Sequence, residues 1–370
     1  MLDRLAHDLS ALRDADQLRG LTNPNGFQLG SNDYLGLSTH PRLKAAIMCA
    51  LEEDDRLCST GSRLLTGNHE RWDRLETDFA RFVAADAALY FPTGYAANIG
   101  LLSSILKEGD VVFSDSANHA SLIDGMRLSH AQRVIFPHLD FDYLERELRR
   151  NTSPGEKFVV VERIFSMDGD RAPLSELFDL CERYGAWLVI DEAHSTGVDD
   201  AIKRPECLLA TVHTCGKALA SMGAFVAGSR ILRDFLINRA RTFIFTTGLP
   251  PYCAAHVQEA MNLAANADDR RRHLEELGKY LRQNMQALGF HTGRSDSQIV
   301  PLVLGSNETV LRFAAVLGAA GFSVSAIRPP TVPVGTSRIR ISLNANLSIA
   351  DIDRFLSVLV VARETEVVSG

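Results

Sequence analysis

Apolar and polar positions change their period several times along the chain. Leu2, Leu5, Leu9 and Leu12 recur at helical spacing among charged residues, which predicts an amphipathic first helix. The chain then runs through Asp16-Gln17-Leu18-Arg19 into a Pro/Gly turn, Asn23-Pro24-Asn25-Gly26, so residues 1–41 read as an N-terminal arm. Over 42–264, apolar runs alternate with helical patterns. Trp72, Leu75, Phe79, Phe82 and Val83 line one helix face. Strands are predicted at Ala88-Leu89-Tyr90-Phe91, Val111-Val112-Phe113, Phe158-Val159-Val160-Val161, Trp187-Leu188-Val189-Ile190, Leu208-Leu209-Ala210-Thr211-Val212 and Ala224-Phe225-Val226-Ala227. This alternation predicts an α/β fold: a large, mainly parallel sheet with helices on both faces. Ligands of such sheets bind beyond the carboxyl ends of the strands. A charged helical stretch from Asp268 to Leu288, strands near Ile299-Val300-Pro301-Leu302-Val303 and Arg338 to Leu343, and a last helix follow. That helix opens at Ser348 with Asp351 three positions on, as in a capping box. A smaller α+β domain is therefore expected over 265–370.

Two of the buried runs end in polar groups. Trp187 to Ile190 stops at Asp191-Glu192-Ala193-His194, and Leu208 to Val212 leads to Thr214-Cys215-Gly216-Lys217-Ala218-Leu219-Ala220. A carboxylate at a strand end is costly to bury unless paired. One carboxylate and one amine so placed suit pyridoxal 5'-phosphate, which needs an amine for its Schiff base and an acid to keep a proton on the pyridine nitrogen. Asp-Glu-Ala-His also occurs in nucleotide-dependent helicases. Those need a Gly-x-x-x-x-Gly-Lys-Ser/Thr loop, whereas here Ala218 follows Lys217 and Thr211 stands in place of the first glycine. Nor do Asp191 and His194 have further ligands at a metal-binding spacing, so no metal is expected.

Other segments are weaker signals by themselves. Thr93-Gly94-Tyr95-Ala96-Ala97-Asn98 follows a strand and opens a helix, whose free N–H groups could hold a phosphate with Tyr95 nearby; a plain turn is the commoner meaning of such a glycine. His119 offers a ring to stack on a flat cofactor, although a lone histidine is more often structural. Arg328-Pro329-Pro330-Thr331-Val332-Pro333 stiffens a loop. Arg338 and Arg340 share one strand face, either on a solvated edge strand or as a fork for a substrate carboxylate.

Composition narrows the field further. The 370 residues, 46% hydrophobic and 23% charged, suffice for a large core. A net charge of −7 without any Lys/Arg run leaves no general basic field for nucleic acid. No apolar run approaches the ~18 residues of a membrane span, and the charged, helical N-terminus is unlike a signal peptide, so a cytoplasmic protein is expected. Six scattered cysteines without a Cys-x-x-Cys pair read as reduced thiols.

Six segments, in order, resemble the α-oxoamine synthases, pyridoxal-phosphate enzymes of fold type I. They are Ser31-Asn32-Asp33-Tyr34-Leu35-Gly36-Leu37, Thr60-Gly61-Ser62-Arg63-Leu64-Leu65-Thr66-Gly67, Phe165-Ser166-Met167-Asp168-Gly169-Asp170, Asp191 to Gly197, Thr214 to Lys217, and Ala326 to Arg340. The resemblance implies that Lys217 forms the Schiff base, Asp191 pairs with the pyridine nitrogen, His119 stacks on the ring, and Ser166 and His194 lie near its phenolic oxygen. It places Gly94, Tyr95 and Thr214 on the phosphate side, joined by Thr246 and Thr247 of a neighbouring subunit in a homodimer. Arg340 would take the amino-acid carboxylate, Thr331 a substrate contact and Arg19 the acyl substrate. The segment from Arg328 to Thr336 looks most like members that condense L-alanine with a pimeloyl thioester, on coenzyme A or a carrier protein, in biotin synthesis. The alternatives are another family member of the glycine C-acetyltransferase, 5-aminolevulinate synthase, serine palmitoyltransferase or quorum-signal synthase type, a fold-type I lyase or aminotransferase, and a catalytically dead binding subunit. One departure is visible: between Gly197 and Thr214 the chain is shorter than usual and lacks the customary glycines.

Overall fold

The computed structural model describes residues 1–21, 23 and 25–368, with side chains to residue 364; Pro24 of the predicted turn lies outside the described residues. In chain order the elements are α1 (Leu2–Asp14), β1 (Phe27–Gln28), α2 (Pro41–Glu53), α3 (Glu70–Phe82), β2 (Ala87–Phe91), α4 (Gly94–Ile105), β3 (Val111–Asp115), α5 (Ala120–Arg127) and β4 (Gln132–Phe136). They continue with α6 (Phe141–Arg150), β5 (Lys157–Glu162), α7 (Leu174–Tyr184), β6 (Ala186–Asp191), β7 (Leu208–Thr214), β8 (Ala224–Gly228), α8 (Arg230–Arg239), α9 (Arg241–Ile244) and α10 (Pro251–Ala265). The last are α11 (Asp268–Ala287), β9 (Ile299–Gly305), α12 (Asn307–Ala319), β10 (Phe322–Ser323), β11 (Ser325–Ile327), β12 (Ser337–Ser342) and α13 (Ile349–Val368). The chain forms two compact units. One comprises Leu35–Ser166 and Arg171–Arg271, the other Met1–Tyr34, Met167–Asp170 and Arg272–Gly370.

The larger unit is built on a seven-stranded sheet of order β2-β8-β7-β6-β5-β3-β4. All neighbours from β7 to β4 are parallel, and β8 runs antiparallel to both β7 and β2. Every residue of β2, β3 and β8 is buried, as expected for a sheet covered on both faces. The strands sort their side chains by parity. Val160 and Val189 pack with Leu101, Leu122 and Leu236 of α4, α5 and α8; Val159, Val161, Leu188 and Ile190 pack with Leu144, Leu148 and Leu177 of α6 and α7. Strand β4 is not among the predicted strands: its apolar run Val134-Ile135-Phe136 follows the polar Gln132-Arg133, and four of its five residues are not buried.

In the smaller unit, β12 lies between β11 and β9 in an antiparallel sheet. All six β12 residues are buried, so Arg338 and Arg340 occupy an interior strand and the solvated-edge alternative falls. The predicted cap forms: the Ser348 N–H donates to Asp351 Oδ2 at 2.8 Å, and the Asp351 N–H to Ser348 Oγ at 3.2 Å. Helix α1 forms as predicted, yet none of its residues is buried. Its period identifies a helix without identifying a surface to cover it.

In α3, Trp72, Leu75 and Phe79 are buried, and the Phe79 ring stacks on Phe225 with centroids 3.8 Å apart. Phe79→Ala should destabilise the larger unit by about 3–5 kcal/mol, read as a lowered urea midpoint at unchanged slope. A loss below about 1 kcal/mol would show that the site collapses around the missing ring.

Candidate active site

Parallel strands present their carboxyl ends along one edge of a sheet, and here that edge is polar. Glu162 ends β5, Asp191 ends β6 and Thr214 ends β7, with Lys217 three residues beyond; Glu162 is the register partner of Asp191. Two backbone bonds fold the lysine loop back on itself, from Cys215 N–H to Gly223 O and from Ser221 N–H to Cys215 O, each 2.9 Å. Helix α4 starts just after β2. Thr93 caps it by accepting the Ala96 N–H at 3.0 Å, while the Gly94 and Tyr95 N–H groups belong to the first turn, which has no intrahelical acceptor. Gly94 is needed for close approach: a Cβ there would lie 2.4 Å from the Thr214 methyl carbon.

Asp191 is held by two donors. Asn98 Nδ2 reaches its Oδ2 at 2.7 Å and the Ala193 N–H its Oδ1 at 2.8 Å. The same Asn98 amide donates to Ser121 Oγ at 2.9 Å, and Ser121 Oγ lies 2.8 Å from His119 Nδ1. Because the Ser121 N–H also points at that nitrogen, Nδ1 is an acceptor and the neutral ring carries its proton on Nε2. Burial, then the nearby Lys217 charge, lowers the His119 pKa, while Asp191 opposes the shift. Tyr95 meets the His119 ring edge-on at 6.3 Å and donates its hydroxyl to Asp124. Burial foremost, with Asp191 adding, pushes Glu162 up to about 8 against the opposing pull of Lys217.

The remaining expected residues fall into separate groups. Ser166 and His194 are buried at the same strand ends, and the Ser166 N–H donates to Glu162 Oε2 at 3.1 Å. Thr214 donates to Ala193 O at 3.3 Å. Thr246 and Thr247 lie beside the 61–63 loop, where Thr247 forms a bridge with Ser62. In the smaller unit, Arg19 Nη2 donates to Thr331 Oγ1 at 3.0 Å. Arg340 is buried and reaches Asn32 Oδ1 at 3.0 Å, Ser342 Oγ at 2.9 Å and Tyr34 Oη at 3.3 Å, whereas Arg338 is ion-paired with Asp168. Sequence reasoning missed Glu162, Asn98 and Ser121 as site residues. Glu162 alone had a readable signal, an acid ending the run Val159-Val160-Val161 one strand before Asp191.

The donor set fits pyridoxal phosphate. It offers an amine, a carboxylate fixed by two donors, an exposed histidine ring, a helix N-terminus open to an anion, and two buried acceptors without hydrogen-bond partners among the described residues, Glu162 Oε1 and Asn98 Oδ1. The comparisons agree. The family model for aminotransferase class I and II matches residues 24–359. The chain belongs to that family. Within it the relatives are α-oxoamine synthases. The chain is 40% identical to an 8-amino-7-oxononanoate synthase of Lysinibacillus sphaericus, covering 88% of this chain and 86% of that one. It is also 40% identical to one of Geobacter sulfurreducens, covering 97% of each. Among solved structures, Sphingomonas wittichii serine palmitoyltransferase matches with TM-score 0.88 at 27% identity, covering 99% and 98% of the two chains. An 8-amino-7-oxononanoate synthase from Francisella tularensis matches with TM-score 0.79 at 26% identity, covering 93% and 99%.

The stretch after Gly197 borders a cavity of about 240 Å³ lined by Glu192, Thr196, Arg204, Thr211 and His213 among others. Burial foremost, then the Arg204 and Arg163 charges, pushes His213 down to about 3. Its unfolded value is ~6.5. With the folded value depressed, the stability from the neutral ring is complete above pH ~6.5 and is lost as pH falls toward 3. His213→Gln should flatten the fall in stability between pH 6.5 and 4.5, by up to about 1.4 kcal/mol per pH unit. Urea midpoints across that range check it; parallel curves for both proteins would refute the assignment.

Proposed function

We propose that this chain condenses L-alanine with a pimeloyl thioester, carried on coenzyme A or a carrier protein, to give 8-amino-7-oxononanoate, carbon dioxide and the free thiol in biotin synthesis. It is a pyridoxal-phosphate-dependent acyltransferase. The observation that carries the reading is the grouping of Lys217, Asp191 and His119 at one sheet edge in a chain about 40% identical to synthases of that name. Bound to Lys217, pyridoxal phosphate would supply an electron sink for a carbanion at the amino-acid Cα. Asp191 holds the proton of the pyridine nitrogen, and the fixed Asn98 and Ala193 donors keep its carboxylate aimed. His119 would cover its ring, Ser166 and His194 would meet its phenolic oxygen, and Gly94, Tyr95 and Thr214 would hold its phosphate. The Lys217 amine moves the proton at Cα. Arg340 takes the alanine carboxylate until it leaves as carbon dioxide; Arg19 and Thr331 meet the acyl chain. Among the described residues no helix is long and apolar enough to cross a membrane. We take the working form to be a cytoplasmic homodimer, with Thr246 and Thr247 donating to the phosphate bound by the neighbouring subunit.

The serine palmitoyltransferase structures favour a second reading, a serine-using member, since their TM-score of 0.89 exceeds the 0.79 of the Francisella synthase. That score compares backbones. Identity, 29% for this palmitoyltransferase and 40% for the Lysinibacillus synthase, favours alanine and pimeloyl.

Incubation with alanine and pimeloyl-CoA should yield 8-amino-7-oxononanoate by mass spectrometry, and Lys217→Ala, though folded, should yield none. Product from serine and palmitoyl-CoA instead, or borohydride labelling of another lysine, would refute the assignment.

Arg340→Ala should cost the alanine reaction two to four decades, the equivalent of ~3–5 kcal/mol for a lost buried ion pair. The absorbance of cofactor on Lys217 should persist. Arg338→Ala, compared per mole of bound cofactor, should do less, because Arg338 is committed to Asp168. The reverse order would put the carboxylate on the wrong arginine.

A further inference from the structure

We propose that Glu162 works as a neutral carboxylic acid whose Oε1–H donates to the deprotonated ring oxygen of pyridoxal phosphate, making it a positioning residue for the cofactor. The proposal rests on the cofactor reading above. Glu162 is 2% exposed and ends β5 directly beside Asp191 in the parallel register. Two ionised carboxylates at neighbouring buried strand ends repel, so one of them carries a proton. Hydrogen bonding decides which. Both oxygens of Asp191 accept from fixed donors, which suits a carboxylate. Glu162 Oε2 accepts the Ser166 N–H and the carboxyl also meets the His119 backbone donor, but its Oε1 has no hydrogen-bond partner among the described residues, which leaves that oxygen to carry the proton.

The groups acting on Glu162 come from three other elements: Asp191 of β6, Lys217 after β7, and the His119 backbone at the start of α5. Burial and Asp191 raise its pKa to about 8, and Lys217 with the backbone donors only partly offsets them. The acid form predominates at neutral pH. A buried hydroxyl for which the chain supplies no acceptor needs one from a ligand. Pyridoxal phosphate offers few choices. Its phosphate suits the N-terminus of α4, and its protonated pyridine nitrogen is a donor that Asp191 takes. The phenolic oxygen is the remaining anionic acceptor on the ring.

Infrared difference spectra of the cofactor-free full chain, wild type minus Glu162→Gln, test the protonation state without any turnover. A protonated carboxyl band should be present at pH 6 and disappear through about pH 8. With cofactor bound, the pH midpoint of its absorbance should be nearly unchanged in Glu162→Gln, whose amide still donates. In Glu162→Leu, which cannot donate, it should rise by about one unit. Absence of the carboxyl band in the wild type, or a midpoint raised by about one unit in the Gln variant, would overturn the proposal even if Leu fails to fold. A wild-type chain that traps no cofactor under borohydride overturns the underlying reading whatever the infrared shows.

Discussion

Asp191 is a carboxylate kept in the protein interior by two hydrogen bonds, and much of the larger unit serves that arrangement. An isolated buried charge would cost far more than a domain's net stability. One of the two donors comes from Asn98, four residues after Gly94 on α4. The helix that opens its N-terminus to an anion therefore also fixes the carboxylate, so neither can shift without the other. Helix α5 is drawn into the same arrangement through Ser121 and His119. Its Gly125 permits the approach, since a Cβ there would lie 2.9 Å from Asn98 O.

That logic explains which parts of the site were legible in the sequence. Asp191 and Lys217 showed themselves because a buried strand must be apolar, and a charge at its end breaks the pattern. Glu162 obeys the same rule and was open to the same reading. Asn98 and Ser121 were not, because polar residues inside helices are ordinary and their reach to Asp191 and His119 exists only after α4 and α5 pack. The arginines of β12 posed a different problem. Alternation along a strand is identical at a sheet edge and at its centre, and only pairing with β9 and β11 on both sides puts Arg338 and Arg340 indoors. The edge strand β4 escaped for the opposite reason: it opens on the exposed polar pair Gln132-Arg133, which masks the short run Val134-Ile135-Phe136 that follows.

The segment Phe165 to Asp170 shows how one motif can answer two demands. Ser166 belongs to the larger unit, where its N–H donates to Glu162, while Met167–Asp170 belongs to the smaller unit. There Asp168 pairs with Arg338, and Gly169 sits at φ 70° where a Cβ would lie 2.0 Å from Ile299 O. The glycine is thus fixed by close backbone approach as well as by conformation. Ser297 Oγ and the Asp296 N–H both donate to its carbonyl, at 2.7 and 3.2 Å. Structural needs in the smaller unit account for Asp168 and Gly169 without any chemical role.

Between Gly197 and Thr214 the structure builds a relay of side-chain hydrogen bonds. Thr196 donates its hydroxyl to Glu192 O at 2.7 Å, so its oxygen accepts from His213 Nδ1 at 2.9 Å. His213 Nε2 is then left to accept from Thr211 at 2.8 Å, and the Thr211 oxygen accepts from Arg204 Nη1 at 3.1 Å. Each hydroxyl both gives and takes one bond, so the chain has a single direction and the histidine a single neutral tautomer. Protonating His213 would turn the Thr211 hydroxyl away from its 2.8 Å bond to Nε2 and leave it only the longer contact to Ala227 O at 3.5 Å. Burial and bonding therefore disfavour the charged ring together, and the relay ties β7 to the residues that follow Asp191.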